Sequence, residues 1–406
     1  MFVGITNTPR DYAWGSSGDI ADLLGREPSG GPEAELWLGA HPESPSRILA
    51  PASTGGHEYL DVWITAEPDL ALGADRTSDR LPFLLKLLAA EQPLSIQAHP
   101  SIEQARAGFA REEAAGIPIS ASERNYKDEL HKPELVFALS ECFDALAGFR
   151  AVGETRLLVS ELIAVSAGDE SAAGSLRALD ERLAGEDPLR NCVEWALGGG
   201  EYVDATIAAV AHAAARKPES SSFTREYATL SDLADRYPGD PGILVALLLN
   251  RIALRRDEAL YLPSGNMHAY LSGFAIEVMA ASDNVLRGGL TPKHVDAEQL
   301  LSVVTWRSLP APHLIPQDVG PGVTVFRPDV VDFALVRVVV GDHGSSRAQF
   351  PLPGPAIALV TSGEVRMDGA SSTATLVRGE SAFITPDEGE LTFTGSGTVF
   401  IATTNV

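Results

Sequence analysis
Lysine is scarce in this chain. Of 31 basic residues only five are lysine, at positions 86, 127, 132, 217 and 293. Acidic residues outnumber basic ones, and the formal net charge is −24. That shortage of positive charge argues against nucleic acid or an anionic membrane surface as a partner. Cysteine is scarcer still. Cys142 and Cys192 form neither a CxxC nor a disulfide framework, so nothing in the chain requires an oxidising compartment. Long apolar runs are missing too, and the stretch from Ile243 to Leu249 is far too short to span a bilayer. The first ten residues carry no basic stretch followed by an apolar one, as a secretory signal would. Cytoplasm is the expected compartment.

What is present divides into segments. A chain of 406 residues is long enough for two or three domains. Residues 1–100 are short strand-like runs separated by Gly, Pro and Ser. Ser101 and Gln104 have capping-box spacing and open a helix that ends near Gly116. Strand character returns at Leu135-Val136-Phe137-Ala138-Leu139. From 152 to 256 helical periods take over, as in 155–166, 175–183, 202–216 and 224–237. Strands resume around His268, with a short helix expected over 292–303, and prolines at 310, 312, 316 and 321 mark a linker. After that come alternating sets such as Val336, Val338 and Val340, or Ile357 and Leu359. The expected fold is mainly β: two jelly rolls, the first interrupted by an all-helical insertion. The expected division is 1–151 with 257–318, then 152–256, then 319–406, the last without metal. That segment holds one His, His343, and neither Cys nor Lys.

Three stretches place polar, metal-capable side chains at i and i+2 within apolar surroundings. They are Ser95, Gln97 and His99; Lys132 and Glu134; and His268 and Tyr270. Spacing of two is the strand period, so each set faces one way. Gathered inside a β-barrel, Gln97, His99, Glu134 and His268 would offer two imidazole nitrogens and two side-chain oxygens. That donor set suits one divalent first-row metal ion. Each residue alone has a plainer reading: a lone His is usually structural, a Gln a buried hydrogen-bonder, a Glu an ion-pair partner. His131 should face away from Lys132 and play a supporting part. His41, His57, His212, His294, His313 and His343 read as ordinary histidines. Lys86 lies inside Phe83-Leu84-Leu85-Lys86-Leu87-Leu88, so its neighbours bury it, and a buried ammonium needs an anionic partner. Lys217 reads as a solvated surface residue.

The ordered blocks carrying these residues resemble the type I phosphomannose isomerase family. They are Tyr12-Ala13-Trp14-Gly15, Ala34-Glu35-Leu36-Trp37-Leu38-Gly39-Ala40-His41-Pro42 and Pro82-Phe83-Leu84-Leu85-Lys86. Pro93 to Pro100, Tyr126 to Glu134, Pro263 to Tyr270, Glu277, and Asn284 to Lys293 follow in the family's order. Leu130 departs from the family, which often has Asn there, but position 130 is not a proposed ligand. The resemblance implies a cupin-type architecture and an aldose–ketose isomerase acting on mannose 6-phosphate and fructose 6-phosphate. It implies zinc on Gln97, His99, Glu134 and His268. It places Trp14, Lys86, Ser95, Tyr270, Glu277, Asp283 and Lys293 around a hexose phosphate, and Arg287 in the chemical step.

Such an isomerisation moves one proton between C2 and C1 through an enediol whose oxygens gain negative charge. A metal with only one carboxylate ligand keeps enough positive charge to stabilise them. Lys86 and Ser95, with Arg287 and Lys293 as a basic rim, are the expected phosphate or sugar contacts. A guanidinium is hard to deprotonate, so Arg287 reads as an electrostatic organiser. Lys132 is the alternative base, because an ammonium desolvated beside a metal gives up its proton more readily. Two other classes fit parts of the pattern: a sugar-phosphate-binding cupin protein without turnover, and an Fe(II) oxygenase. The latter gives no reason for a lysine-bearing rim. A monomer or weak homo-oligomer is expected.

Overall fold
The computed structural model describes residues 1–405 other than 75, 77, 217, 219, 342 and 343. The sequence readings of Lys217 and His343 therefore lie outside the described residues. The architecture is mainly β, with two large sheets of ten and nine strands. The nine-stranded sheet carries the candidate site. Its spine is Leu286–Arg287, Gln97–Ala98, His268–Ala280, Phe83–Ala90 and Glu35–Leu38, each hydrogen-bonded to the next. The ten-stranded sheet is built mostly from residues beyond 316. It also takes in the first strand, Phe2–Thr6, which pairs antiparallel with Ser381–Ile384. The start of the chain thus completes the sheet formed by its end.

Strand Phe83–Ala90 is buried along its whole length, and period-two alternation explains how. Phe83, Leu85, Leu87 and Ala89 join a core shared with Phe326, Phe333, Phe383 and Phe400 of the other sheet. Phe137 packs edge-on against both Phe326 and Phe400. The intervening Lys86 points the other way, into the site.

Six helices, Val152–Val165, Glu170–Leu183, Pro188–Gly198, Glu201–Ala214, Thr224–Arg236 and Gly242–Leu248, lie between strands Cys142–Phe149 and Leu249–Arg255. Their apolar faces form one core with Ile96, Ala98, Ala269 and Leu286. These four residues alternate with Gln97, His99, His268, Tyr270 and Arg287. The apolar set of each strand faces the helices and the polar set faces the opposite way, which is why the candidate site residues recur at every second position. The helix at Ile102–Ala114 opens with the Ser101–Gln104 capping box. The sequence reading of residues 1–100 as strands missed three short helices, Asp19–Leu23, Leu60–Ala66 and Pro68–Leu72. They are five to seven residues long, too short for a helical period to stand out.

Candidate metal centre and its surroundings
Strand pairing sets the positions of the metal-capable side chains. His268 lies directly opposite Gln97, and Gln97 opposite Arg287. Directly opposed residues in antiparallel strands share a face, so Arg287, Gln97 and His268 form one row. His99 follows two residues after Gln97. Glu134 opens its own strand, Glu134–Ala138. His99, Glu134 and His268 are each about 1% exposed.

The hydrogen bonding of the two imidazoles is decisive. His99 Nδ1 lies 2.7 Å from the Asn284 carbonyl oxygen, and His268 Nδ1 lies 3.0 Å from that of Asn266. A carbonyl only accepts, so each Nδ1 carries the proton and each Nε2 presents a lone pair. Those lone pairs face Glu134: His99 Nε2 is 3.2 Å from Oε1 and His268 Nε2 is 3.2 Å from Oε2. Both Nε2 atoms are buried with no hydrogen-bond partner. Two acceptor nitrogens against a carboxylate, sealed from water, are unfavourable unless a cation sits among them. Ligand atoms of the three residues all lie within 4.8 Å of one another, and no other such group occurs among the described residues. The donor set and its carbonyl-fixed tautomers suit a divalent metal. Burial and the positive charge of Lys132 depress the His99 pKa to about 4, so the ring is neutral at pH 7. Burial alone would raise the Glu134 carboxyl, but the Lys132 ammonium holds it well below the usual carboxylate range. Lys132 Nζ donates to Glu134 Oε1 at 2.7 Å, and Tyr270 Oη donates to Oε2 at 3.3 Å.

A second row runs Trp37, Lys86, Glu277 across three strands. Lys86 Nζ is 3.1 Å from Glu277 Oε2, 3.5 Å from Glu35 Oε1 and 4.8 Å from the centre of the Trp37 ring. Trp37 Nε1 donates to the other oxygen of Glu35 at 2.9 Å. Lys86 is 5% exposed. Burial would lower its pKa, but Glu277 and Glu35 outweigh that and raise it. The anionic partner that the sequence required is therefore internal. Burial, with Glu134 nearby, raises the Glu277 carboxyl against the pull of Lys86, and burial with Glu277 and Glu134 raises the Tyr270 phenol well above its ordinary value.

The remaining candidates lie around these rows. Trp14 is half-buried, stacks on Tyr12 and packs on the cluster that includes Tyr270. Ser95 is half-buried, next to Ile96, whose backbone bonds to Gly288 and Gly289. Burial lowers the Arg287 pKa. Lys293 is exposed, and its pKa is lowered by partial desolvation and then by the positive charges of Arg287 and Lys127. Lys127, Arg287 and Lys293 thus make one basic neighbourhood. The glycines after Arg287 serve packing: Gly289 has φ +121°, and a Cβ there would lie 2.5 Å from the Gly242 backbone.

Sequence reasoning passed over two residues. Glu35 is buried and holds both Trp37 and Lys86. Its signal was a lone acid in the apolar run Ala34-Glu35-Leu36-Trp37. His41 is 4% exposed, and its Nε2 lies 3.4 Å from Asp283 Oδ2. The Glu43 backbone N–H donates to His41 Nδ1, which leaves the proton on Nε2. Burial and Lys86 lower the His41 pKa to about 4.

Residues 2–152 match the model of the phosphomannose isomerase type I catalytic domain. The chain is 39% identical over 398 residues to the mannose-6-phosphate isomerase of Escherichia coli (strain K12), covering 97% of each. It is 30% identical to that of Bos taurus, covering 93% of this chain and 92% of that one. A crystal structure of mannose 6-phosphate isomerase with zinc bound superposes with a TM-score of 0.85 at 34% identity, over 100% of both chains.

Proposed function
This chain belongs to the type I phosphomannose isomerase family, and from that premise we propose that it is a zinc-dependent isomerase interconverting mannose 6-phosphate and fructose 6-phosphate. The observation that carries the reading is the pair of buried, partnerless imidazole Nε2 atoms facing Glu134. Gln97, His99, Glu134 and His268 would hold the ion. When bound, zinc supplies Lewis-acid stabilisation of the negative charge that develops on the sugar oxygens.

The chain's own residues supply the rest. Arg287 flanks Gln97 in the same row and places a positive charge over the reacting end of the sugar. Lys132, held on Glu134, is the candidate for moving the proton between C2 and C1. Lys86 remains in the pocket, but its charge is shared by Glu35 and Glu277. Its part is to fix Glu277 under the sugar, and the basic neighbourhood of Lys127, Arg287 and Lys293 takes the phosphate. Trp14, Ser95, Tyr270 and Asp283 complete the wall. The proposed architecture is two cupin-like jelly rolls: 1–151 with 257–318, carrying 152–256 as an insertion that is helical up to Leu248 and returns through strand Leu249–Arg255 to pair with Cys142–Phe149, and 319–406, whose sheet the first strand completes. Among the described residues no helix is long and apolar enough to cross a membrane; the cytoplasm and a monomer or weak homo-oligomer remain the proposed setting.

The test is coupled detection of fructose 6-phosphate formed from mannose 6-phosphate, before chelation, after it, and after zinc is restored. Turnover should vanish and return. A protein that binds zinc and the sugar phosphate without turnover would be a binding protein instead.

A further inference from the structure
The segment leading into the metal-ligand strand is held unevenly. Leu130 is fixed on both sides: its N–H donates to Asp128 Oδ1, and its carbonyl accepts from Asn284 Nδ2 and Ser282 Oγ. Pro133 is fixed through its carbonyl, which accepts from the Ala280 N–H at 3.1 Å. Between them, among the described residues, no backbone hydrogen bond holds His131 or Lys132. Their side chains diverge, as extended backbone requires. Lys132 turns inward to Glu134. His131 turns outward and reaches the connection between strands Val323–Phe326 and Ala334–Val340 of the other sheet, where its Nε2 lies 2.9 Å from Asp332 Oδ2.

Asp332 sits on a rigid mount. It precedes Phe333, which is 0% exposed in the core shared by the two sheets. The connection that carries it is tied to Asn405. Asn405 Nδ2 donates to the carbonyls of Pro328 and Val330, each at 2.8 Å, and the Asn405 N–H donates to that of Val331 at 3.1 Å. The side chains of His131 and Asp332 are 25% and 19% exposed. An ion pair in such partial contact with water adds little to stability. It does have geometric leverage. Lys132 precedes a proline and is therefore confined to extended backbone. His131, Lys132 and Pro133 form a stiff strut, and its outer anchor sets where the Lys132 backbone lies.

We propose that Asp332 is a positioning residue for the reaction: through His131 it holds the Lys132 backbone so that Nζ stays on Glu134. This rests on the isomerase reading above and gives residues 319–406 a part in the site, through one connection between strands, without touching substrate. It is distinct from general scaffolding because it concerns one side chain and one hydrogen bond.

The test compares Asp332→Ala, Asp332→Asn, His131→Ala and the Asp332→Ala/His131→Ala double variant as zinc-loaded full-length proteins. Asp332→Ala should lower kcat about tenfold, with KM, zinc content and melting temperature nearly unchanged. Asp332→Asn keeps an oxygen that accepts from His131 and should recover most of the loss. The double variant should be no worse than the poorer single one, since both remove the same link. A second readout is independent of turnover. Acylation of Lys132 by acetic anhydride, followed by mass spectrometry, should rise in Asp332→Ala and return towards wild type in Asp332→Asn. An unchanged kcat and unchanged Lys132 labelling in Asp332→Ala would overturn the proposal, as would additive losses in the double variant. Wild-type protein without isomerase activity would instead defeat the functional reading, and the labelling result would still decide the positioning.

Discussion

Replacing Lys86 with methionine probes the densest charge arrangement in the molecule. The ammonium lies between Glu277 at 3.1 Å and Glu35 at 3.5 Å, and all three residues are at most 7% exposed. Methionine keeps the length of the apolar stem, which still packs. What is lost is the charge that two buried carboxylates share. Breaking a buried pair by removing one partner typically costs about 3–5 kcal/mol, because the other partner stays behind unpaired. Here two stay behind, although Trp37 Nε1 still serves Glu35. Glu277, already raised by burial, should relieve the strain by taking a proton. The expected loss is therefore near the lower bound, about 3 kcal/mol, or on the order of a hundredfold in the folded-to-unfolded ratio. Urea unfolding of zinc-free protein measures it without the added stability that bound metal contributes. The pair Lys86→Met/Glu277→Gln should recover more than half of the loss, as groups in direct contact do not add. Kinetics should show a strongly raised KM for mannose 6-phosphate and a lower kcat, since a displaced Glu277 no longer orients the sugar. A Lys86→Met protein that loses less than about 1 kcal/mol and keeps its KM would refute both the ion-pair argument and the place of Lys86 in the pocket.

His268→Ala removes one of two Nε2 ligands and should abolish stoichiometric zinc binding; elemental analysis showing full occupancy would remove His268 from the ligand set. Arg287→Ala should cut kcat far more than it alters zinc content, and a variant with normal kcat would rule out its part in the chemical step. His41 gives a pH signature. Its folded pKa of about 4 lies below the ordinary 6.5, so the unfolded chain binds a proton that the folded one refuses. Its contribution is fully present above pH 6.5 and is lost as pH falls towards 4, by at most about 3 kcal/mol. His41→Gln should flatten the difference in urea midpoint between pH 7 and pH 4.5 in zinc-free protein, and an unchanged difference would contradict its burial as a neutral ring. Truncation near residue 318 would strip Phe326, Phe383 and Phe400 from the shared core and should leave an insoluble or unfolded product; a stable, soluble fragment would show that the first unit keeps a core of its own.

The metal-capable cluster was legible in the sequence because its residues break the apolar rule at a fixed period. Gln97 and His99, Lys132 and Glu134, and His268 and Tyr270 each stand on the polar face of a strand whose other face packs elsewhere. Alternation reveals that without knowledge of the partner strand. Glu35 was less visible, since one acid in an apolar strand has an ordinary reading until Lys86 is seen beside it. The anionic partner of Lys86 could be required from the sequence but not located, because cross-strand register depends on contacts 51 and 191 residues away, to Glu35 and Glu277. His41 read as ordinary for the same reason: Asp283 meets it only through the fold. Four of the six helices between residues 152 and 248 announced themselves by period; Pro188–Gly198 was not named, and Gly242–Leu248, buried at every position, has no period to show. The pairing of Phe2–Thr6 with Ser381–Ile384 had no local signature, because nothing in a five-residue strand names its partner.

The two-sided burial of Phe83–Ala90 links these observations. A strand with charge on one face and water on the other could not hold Lys86 between two carboxylates, because water would screen the charges and loosen the side chains. The shared core behind Phe83, Leu85, Leu87 and Ala89 excludes that water and fixes the strand against the other sheet. The helical core behind Ile96, Ala98, Ala269 and Leu286 does the same for the strands that carry Gln97, His99, His268 and Arg287. The metal-capable cluster is thus clamped between two apolar cores laid down by different parts of the chain. Each ligand strand has one face to support it and one to present. An arrangement of this kind makes the site sensitive to packing changes in either core. Substitutions such as Phe400→Ala, far from any ligand in sequence, should then lower activity in step with stability, whereas Arg287→Ala lowers it alone.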